Sequence, residues 1–128
     1  MTEWMKDNIK VSRNKDSDKG GTMRLGSYPC NLKNNSLVQK IYGKNNISER
    51  HRHRYEVNVN YVKDFNKNNF TFTGMSPDNL LPEIIESNKL SWFIGVQFHP
   101  ELKSRPQNPH PLFVSFVNAC IENKNEKN

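Results

Sequence analysis

The stretch "WFIGVQFHPE" (residues 92–101) joins an apolar run to a histidine and a glutamate that flank a proline. The run begins at residue 90 and continues to 98, which predicts a strand covered on both faces. In an extended segment, residues i and i+2 point to the same side, so we expect His99 and Glu101 to act together. Pro100 fixes its own φ and favours an extended His99, which stiffens the pair. A base beside a carboxylate is the arrangement that activates a nucleophile.

Local patterns elsewhere predict a mixed α/β fold, with several short strands closed by a C-terminal helix. Ser36 and Gly43 occupy the positions of an N-cap and a terminating glycine around a short helix. Residues 54–62 alternate apolar and polar side chains, which predicts a strand. The other predicted segments are a loop at 14–21, a strand with a tight turn at 22–30, a β run at 70–74, an apolar-centred segment at 81–87 and an amphipathic helix within 110–124, with Cys120 on its core-facing side.

Composition indicates one domain at most, or part of a larger one. The chain has 128 residues and only 34% hydrophobic residues, with a mean hydropathy of −0.90. Ordinary globular domains contain roughly 45–50% apolar residues. A domain of this size buries roughly two thirds of its unfolded surface, and this composition makes that hard to achieve alone. We therefore expect a piece of a longer protein.

Charge and cysteine content exclude several classes of protein. A net charge of +6 and a pI near 9.4 allow nucleic-acid binding, but Lys and Arg are dense only at 49–54, so this function is not favoured. Cys30 and Cys120 have no CxxC spacing, which argues against a disulfide scaffold or a zinc site. No apolar run reaches the roughly 20 residues of a membrane span, and the N-terminus is not a secretory signal. We expect a reducing, cytoplasmic compartment.

Two stretches have both an ordinary structural interpretation and a chemical one. His99 could cap a turn beside a solvated Glu101. Its position just after a buried-looking strand, where open α/β sheets place their sites, favours chemistry instead. The stretch "ERHRHRYEVN" (49–58) could be a basic strand edge, or a metal site at His51 and His53, although the neighbouring arginines repel cations. An arginine there could instead hold a carboxylate with two hydrogen bonds, which lysine cannot do.

The motif "GVQFHPE" resembles the His-x-Glu end of the class I (triad) glutamine amidotransferases. Three more stretches narrow the resemblance to the CTP synthase family, specifically to the C-terminal half of its glutaminase domain. They are "GGTMRLG" (20–26), "ERHRHRYEVN" (49–58) and "SRPQNPHPLFVSFV" (104–117). The resemblance implies a partial amidotransferase domain, with strands around a central sheet closed by the terminal helix.

The resemblance also implies roles for particular residues. His99 would deprotonate a cysteine nucleophile and protonate the departing ammonia, while Glu101 orients the imidazole. Arg54, the last arginine of the RHRHR run, would bind the α-carboxylate of glutamine. Ammonia would pass through a tunnel to a synthetase domain that aminates UTP with ATP and Mg²⁺, and the parent protein would form a homo-oligomer through that domain. No cofactor or metal is expected in this segment.

The chain departs from the family pattern at the nucleophile. Neither Cys30 nor Cys120 lies in the glycine-flanked turn that the family uses, so the nucleophile and the synthetase domain are expected upstream of Met1 and the chain alone is expected to be inactive. Two alternatives stay open. One is another triad amidotransferase, such as the glutaminase of GMP synthase, against which the "RHRHRYEVN" stretch argues. The other is a non-catalytic interaction or nucleic-acid-binding module, which a salt-dependent affinity for RNA would favour.

Overall fold

The computed structural model describes the backbone of residues 2–6 and 9–13 and both backbone and side chains of residues 24–126. The predicted loop at 14–21 lies outside these ranges. Within them the chain forms seven strands, three α-helices and two short 3₁₀ turns. They are β1 (Thr2–Lys6), β2 (Ile9–Arg13), β3 (Arg24–Leu32), α1 (Leu37–Tyr42), β4 (Asn46–His53), a 3₁₀ turn (Val59–Tyr61), α2 (Val62–Lys67), β5 (Phe70–Met75), β6 (Pro82–Ser87), β7 (Ile94–Val96), a second 3₁₀ turn (Pro100–Leu102) and α3 (Pro111–Glu126).

Five of the strands form one curled antiparallel sheet, in the order β4-β3-β5-β6-β7, while β1 and β2 pair separately. The chain that follows β7 brings the two edges of the sheet together. Gln97 N–H donates to the carbonyl of Glu83 on β6 at 3.0 Å, and His99 N–H donates to the carbonyl of Arg50 on β4 at 2.9 Å. The sheet therefore encloses an interior, because the segment after its last strand contacts its first strand.

The enclosed interior has an apolar part and a charged part. Its apolar part is the core cluster of Cys30, Leu32, Val38, Ile47, Ile84, Phe98 and Leu112. Its charged part contains Arg24, Glu49, His51 and Glu83, each 1% exposed. Strand β4 contributes to both parts, because its burial alternates and every second side chain, from Ile47 to His51, is buried.

Helix α1 has the capping residues that the sequence predicts. The Ser36 hydroxyl accepts a hydrogen bond from the backbone of Gln39, and Gly43 ends the helix with a φ of 71°, which glycine adopts without strain. A buried carboxylate from the sheet adds to the cap. Glu86 accepts hydrogen bonds from the N–H groups of Leu37 (3.0 Å) and Val38 (3.1 Å). These contacts fix α1 to β6.

The predicted strand over residues 54–62 is wrong. Strand β4 ends at His53, which pairs with Arg24, the first described residue of β3. Beyond that point the chain has no partner strand among the described residues. The Asn58 side chain instead accepts from the Asn60 N–H at 2.9 Å, which starts the first 3₁₀ turn and then α2. With no described partner strand, the local cap at Asn58 thus overrides the period-two pattern.

The apolar run at 90–98 is a strand only over 94–96, and these residues are half-buried rather than covered on both faces.

Helix α3 forms where predicted, but the prediction that Cys120 lies in a core is wrong, since Cys120 is exposed. Its neighbours on α3 are exposed as well: Phe113, Val114, Phe116, Val117 and Ile121 are 41–54% exposed. Trp92 packs against Phe116, with ring centroids 5.2 Å apart, but the described part of the chain leaves about half of the surface of these α3 side chains exposed. No described helix has the length and apolarity needed to cross a membrane.

Replacing Glu86 by glutamine should destabilise the chain. One carboxylate oxygen becomes an NH₂ group that faces backbone or hydroxyl donors, and an unsatisfied buried donor costs about 1–3 kcal/mol. The measurement is urea unfolding of the 128-residue chain. Glu122→Gln, which removes an exposed carboxylate on α3, serves as the control and should change stability by less than about 0.5 kcal/mol. Equal effects of the two substitutions would show that Glu86 does not cap α1.

Candidate active site

His99 and Glu101 form a hydrogen-bonded pair at the surface, as their spacing predicts. The Nδ1 atom of His99 lies 2.7 Å from Oε1 of Glu101, and their side chains are 38% and 58% exposed. A carboxylate can only accept, so Nδ1 carries the proton and Nε2 is left as the basic nitrogen. The hydrogen bond from His99 lowers the pKa of the Glu101 carboxyl below its ordinary value. The pair is therefore an oriented base that is open to solvent.

Contacts on both sides of the pair hold it against β4. Phe98 is buried in the interior, and Pro100 begins the second 3₁₀ turn. After the turn, the Lys103 ammonium donates to the carbonyl of Ser48 at 2.6 Å. The pair does follow a strand, β7, as predicted, but the expectation of an open α/β sheet needs correction, because the sheet is antiparallel and curled. The backbone bond of His99 to β4 and the 3₁₀ turn place the pair.

Arg54 lies one residue beyond β4 and is exposed. Within residues 24–126, no hydrogen bond or ion pair joins Arg54 to His99 or Glu101. In the chain, His99 binds the backbone of Arg50, which is four residues before Arg54. The roles of His99, Glu101 and Arg54 in catalysis and glutamine binding stay predictions.

A network of buried charges lies inside the curled sheet behind these residues. The Arg24 guanidinium donates from Nη2 to Glu83 at 2.6 Å and from Nη1 to Glu56 at 3.2 Å, and the Glu56 side chain is only 1% exposed. The Gln97 amide also donates to Glu56 at 3.2 Å and to the carbonyl of Pro82. Sequence reasoning missed this network. The only sequence signal for it was the alternation of histidine and arginine in the RHRHR run.

That alternation separates the two residue types across the sheet. His51 is buried, with Nε2 2.9 Å from Glu83 but off the direction of a hydrogen bond, and with Nδ1 3.0 Å from the His53 ring. Arg50 and Arg52 are exposed. The interpretation of 49–54 as a basic surface edge therefore holds for the arginines only. In the described part of the chain, no three His, Cys, Asp or Glu side chains gather as a metal site requires.

A second buried cluster surrounds Glu49. Its Oε1 accepts from the Tyr42 hydroxyl at 3.0 Å and lies 2.8 Å from Nε2 of His110, which is 4% exposed. Burial and the nearby Glu49 carboxylate raise the pKa of the Tyr42 hydroxyl far above its ordinary value, so tyrosine stays a donor. This cluster joins α1, β4 and the start of α3.

Neither cysteine is placed as a nucleophile beside His99. Cys30 is fully buried in β3, and its burial, with a smaller contribution from Glu83, raises the pKa of the thiol far above its ordinary value. A reactive cysteine needs the opposite environment, one that favours the thiolate. Cys120 is exposed on α3. The described residues thus contain a hydrogen-bonded His99–Glu101 pair and two cysteines, one buried in β3 and one exposed on α3.

The chain is similar to known proteins in both sequence and fold. A family model described as glutamine amidotransferase class-I matches residues 6–119. The CTP synthases of Paramagnetospirillum magneticum and Hyphomonas neptunium are each 59% identical to the chain, over 121 and 122 residues, or 94% and 95% of it. The chain spans 22% of the length of each of these curated relatives.

A solved structure described as the Trypanosoma brucei CTPS glutaminase domain with bound acivicin has a TM-score of 0.77 and 35% identity. The match covers 86% of this chain and 43% of that one. These similarities confirm the resemblance inferred from the sequence motifs and the fold class that it implied.

The free energy of unfolding should depend on His53. Burial lowers its pKa from 6.5 to about 4, so the unfolded chain binds a proton between these pH values that the folded chain does not. Protonation of His53 should have no effect on the free energy of unfolding above pH 6.5 and should lower it by at most about 3.4 kcal/mol as the pH drops to 4. Urea unfolding at several pH values measures this. His53→Gln, which cannot titrate, should lose correspondingly less stability, and identical pH profiles would contradict the assignment.

Proposed function

Because the chain belongs to the class I glutamine amidotransferase family, we propose that it supplies the histidine–glutamate part of the glutaminase site of a CTP synthase. The observation that carries this proposal is the 2.7 Å contact between His99 and Glu101, which leaves Nε2 as the unprotonated nitrogen of a partly exposed imidazole. Support for the particular enzyme comes from the 59% identity to curated CTP synthases.

In the proposed reaction, His99 acts as a general base and then as a general acid. Nε2 takes the proton of a cysteine thiol, and the thiolate attacks the side-chain carbonyl carbon of glutamine. Nε2 next gives that proton to the departing nitrogen, so that the C–N bond breaks and ammonia leaves a thioester. Water then hydrolyses the thioester to glutamate. Glu101 keeps the proton on Nδ1 and stabilises the imidazolium that forms.

The proposal assigns the cysteine and the synthetase reaction to protein outside this chain. The buried, unactivated Cys30 and the surface position of Cys120 on α3 support the first assignment. The exposed apolar side of α3 supports the presence of further protein that packs against it. In the parent enzyme, ammonia would aminate UTP to CTP in a synthetase domain that uses ATP and Mg²⁺. We propose a cytoplasmic homo-oligomer assembled through that domain.

Arg54 is proposed to bind the α-carboxylate of glutamine. Arg54 is exposed beyond the end of β4, and His99 binds the backbone of Arg50, four residues earlier. Arginine can give two parallel hydrogen bonds to a carboxylate, which fixes both position and orientation. Binding the carboxylate would present the other end of the substrate, the side-chain amide, to the cysteine and His99.

Substituting His99 by alanine should separate the two half-reactions. The protein tested is a hybrid in which this chain replaces the matching 22% of the P. magneticum enzyme. Loss of general acid–base catalysis should lower glutamine-dependent CTP formation by at least about 10²-fold. CTP formation from added ammonia should stay within about twofold, because that step does not need His99. If both rates fell together, His99 would be a structural residue.

Substituting Arg54 by alanine in the same hybrid should raise the KM for glutamine. Loss of a hydrogen-bonded charge contact, worth about 1.5–3 kcal/mol, corresponds to a rise of roughly 10- to 150-fold. The value of kcat should change little, because the contact is the same in the ground state and the transition state. Arg52→Ala removes another exposed arginine of the same run and is the control. Equal KM values for the two variants would refute the role of Arg54.

A further inference from the structure

We propose that Glu56 is a positioning residue for glutamine binding, which holds the segment that carries Arg54 against the segment that carries His99. This inference rests on the proposed function, since it assumes that Arg54 and His99 serve the same substrate. Glu56 is neither exposed nor in contact with the His99–Glu101 pair. It would act through Arg54, by fixing the backbone on which Arg54 is carried.

The contacts of Glu56 join two segments that no secondary structure connects. Residues 54–58 follow the end of β4 and belong to no strand or helix. The Glu56 carboxylate accepts from the Arg24 guanidinium at 3.2 and 3.4 Å and from the Gln97 amide at 3.2 Å. Gln97 lies just after β7, in residues 97–99, which join the two edges of the sheet and are called the closing segment below. One buried carboxylate thus ties the loop after β4 to the closing segment.

Arg54 and His99, the two residues predicted to contact the substrate, are both close in sequence to the Glu56–Gln97 hydrogen bond. Arg54 is two residues before Glu56, and His99 is two residues after Gln97. Two residues span at most about 7 Å of extended chain. The backbone of each is therefore within about 7 Å of a residue in the Glu56–Gln97 hydrogen bond, so a shift of either residue moves Arg54 relative to His99.

The partners of Glu56 are themselves held firmly. Arg24 donates to Glu83 on β6 at 2.6 Å and stacks on the Tyr28 ring, 4.5 Å from its centre. Gln97 is fixed by two hydrogen bonds to β6. Its side-chain amide donates to the backbone carbonyl of Pro82, and its backbone N–H donates to the backbone carbonyl of Glu83 at 3.0 Å. A carboxylate suits this position because it offers two oxygens to donors from two sides. Glutamine has one acceptor oxygen and would turn an NH₂ group towards one of those donors.

A purely structural ion pair would have a different effect on activity. Loss of a buried charge pair lowers stability wherever it lies, and it should then affect glutamine- and ammonia-dependent synthesis alike. A positioning residue should instead change the KM for glutamine, and only while Arg54 is present. Misplacement of a substrate-binding group by about 1 Å can cost up to roughly 10²-fold.

The experiment is a double-mutant cycle on Arg54 and Glu56 in the hybrid enzyme described above. Four proteins are compared: the unsubstituted hybrid, Arg54→Ala, Glu56→Gln and the double variant. For each, the KM and kcat with glutamine and the rate with added ammonia are measured. Glu86→Gln is the matched control, since it also removes a buried carboxylate from the interior of the fold, at the N-terminus of α1.

Glu56→Gln is expected to raise the KM for glutamine about tenfold, with kcat and the ammonia-dependent rate within about twofold. The double variant is expected to match Arg54→Ala within about twofold, because a residue that acts through Arg54 has no effect once Arg54 is gone. Glu86→Gln is expected to leave the KM unchanged. If Glu56→Gln abolishes ammonia-dependent synthesis, the enzyme has not folded and Gln97→Met takes its place in the cycle, with the same expectation.

Three results would overturn the inference alone, and two of them are an unchanged KM in Glu56→Gln and effects of Arg54 and Glu56 that multiply in the double variant. A KM raised equally by Glu86→Gln would show a general loss of stability and would overturn it as well. An unchanged KM in Arg54→Ala would instead refute the proposed role of Arg54, and the positioning role of Glu56 would fall with it.

Discussion

The fold depends on the buried guanidinium of Arg24. It joins Glu83 on β6 to Glu56 in the loop after β4, and all three side chains are withdrawn from water. Such a network adds little net stability, because desolvation of the charges offsets their attraction, but removal of one member costs about 3–5 kcal/mol. Its main effect is geometric. These contacts hold the loop after β4, strand β6 and the closing segment together. The closing segment in turn holds the His99–Glu101 pair against β4.

Features encoded by neighbouring residues could be predicted from the sequence. The boundaries of α1 follow from Ser36 and Gly43, whose capping geometry is local. The contact between His99 and Glu101 follows from their spacing around Pro100, which restricts the backbone on both sides. Helix α3 follows from its apolar periodicity. The resemblance to class I amidotransferases also came from short contiguous motifs.

Features that depend on distant residues could not be predicted in this way. The alternation at 54–62 is a valid strand pattern, but a strand needs a partner, and no described strand pairs with these residues; Asn58 caps a 3₁₀ turn instead. The burial of His51 and Glu56 requires Arg24 and Glu83, which are far apart in sequence. Cys120 lies on an apolar helix face, and periodicity alone cannot show that the described chain leaves this face exposed.

The central claim is that the His99–Glu101 pair and Arg54 belong to one glutamine site, aligned by Glu56. The decisive experiment is a crystal structure of the hybrid with glutamine bound, after alanine has replaced the cysteine that we propose as the nucleophile in the relative's portion. We expect the Arg54 guanidinium within about 2.7–3.2 Å of the α-carboxylate and His99 Nε2 directed at the side-chain amide. Glutamine bound with Arg54 pointing away from it, or with the His99 ring turned from Glu101, would contradict the account.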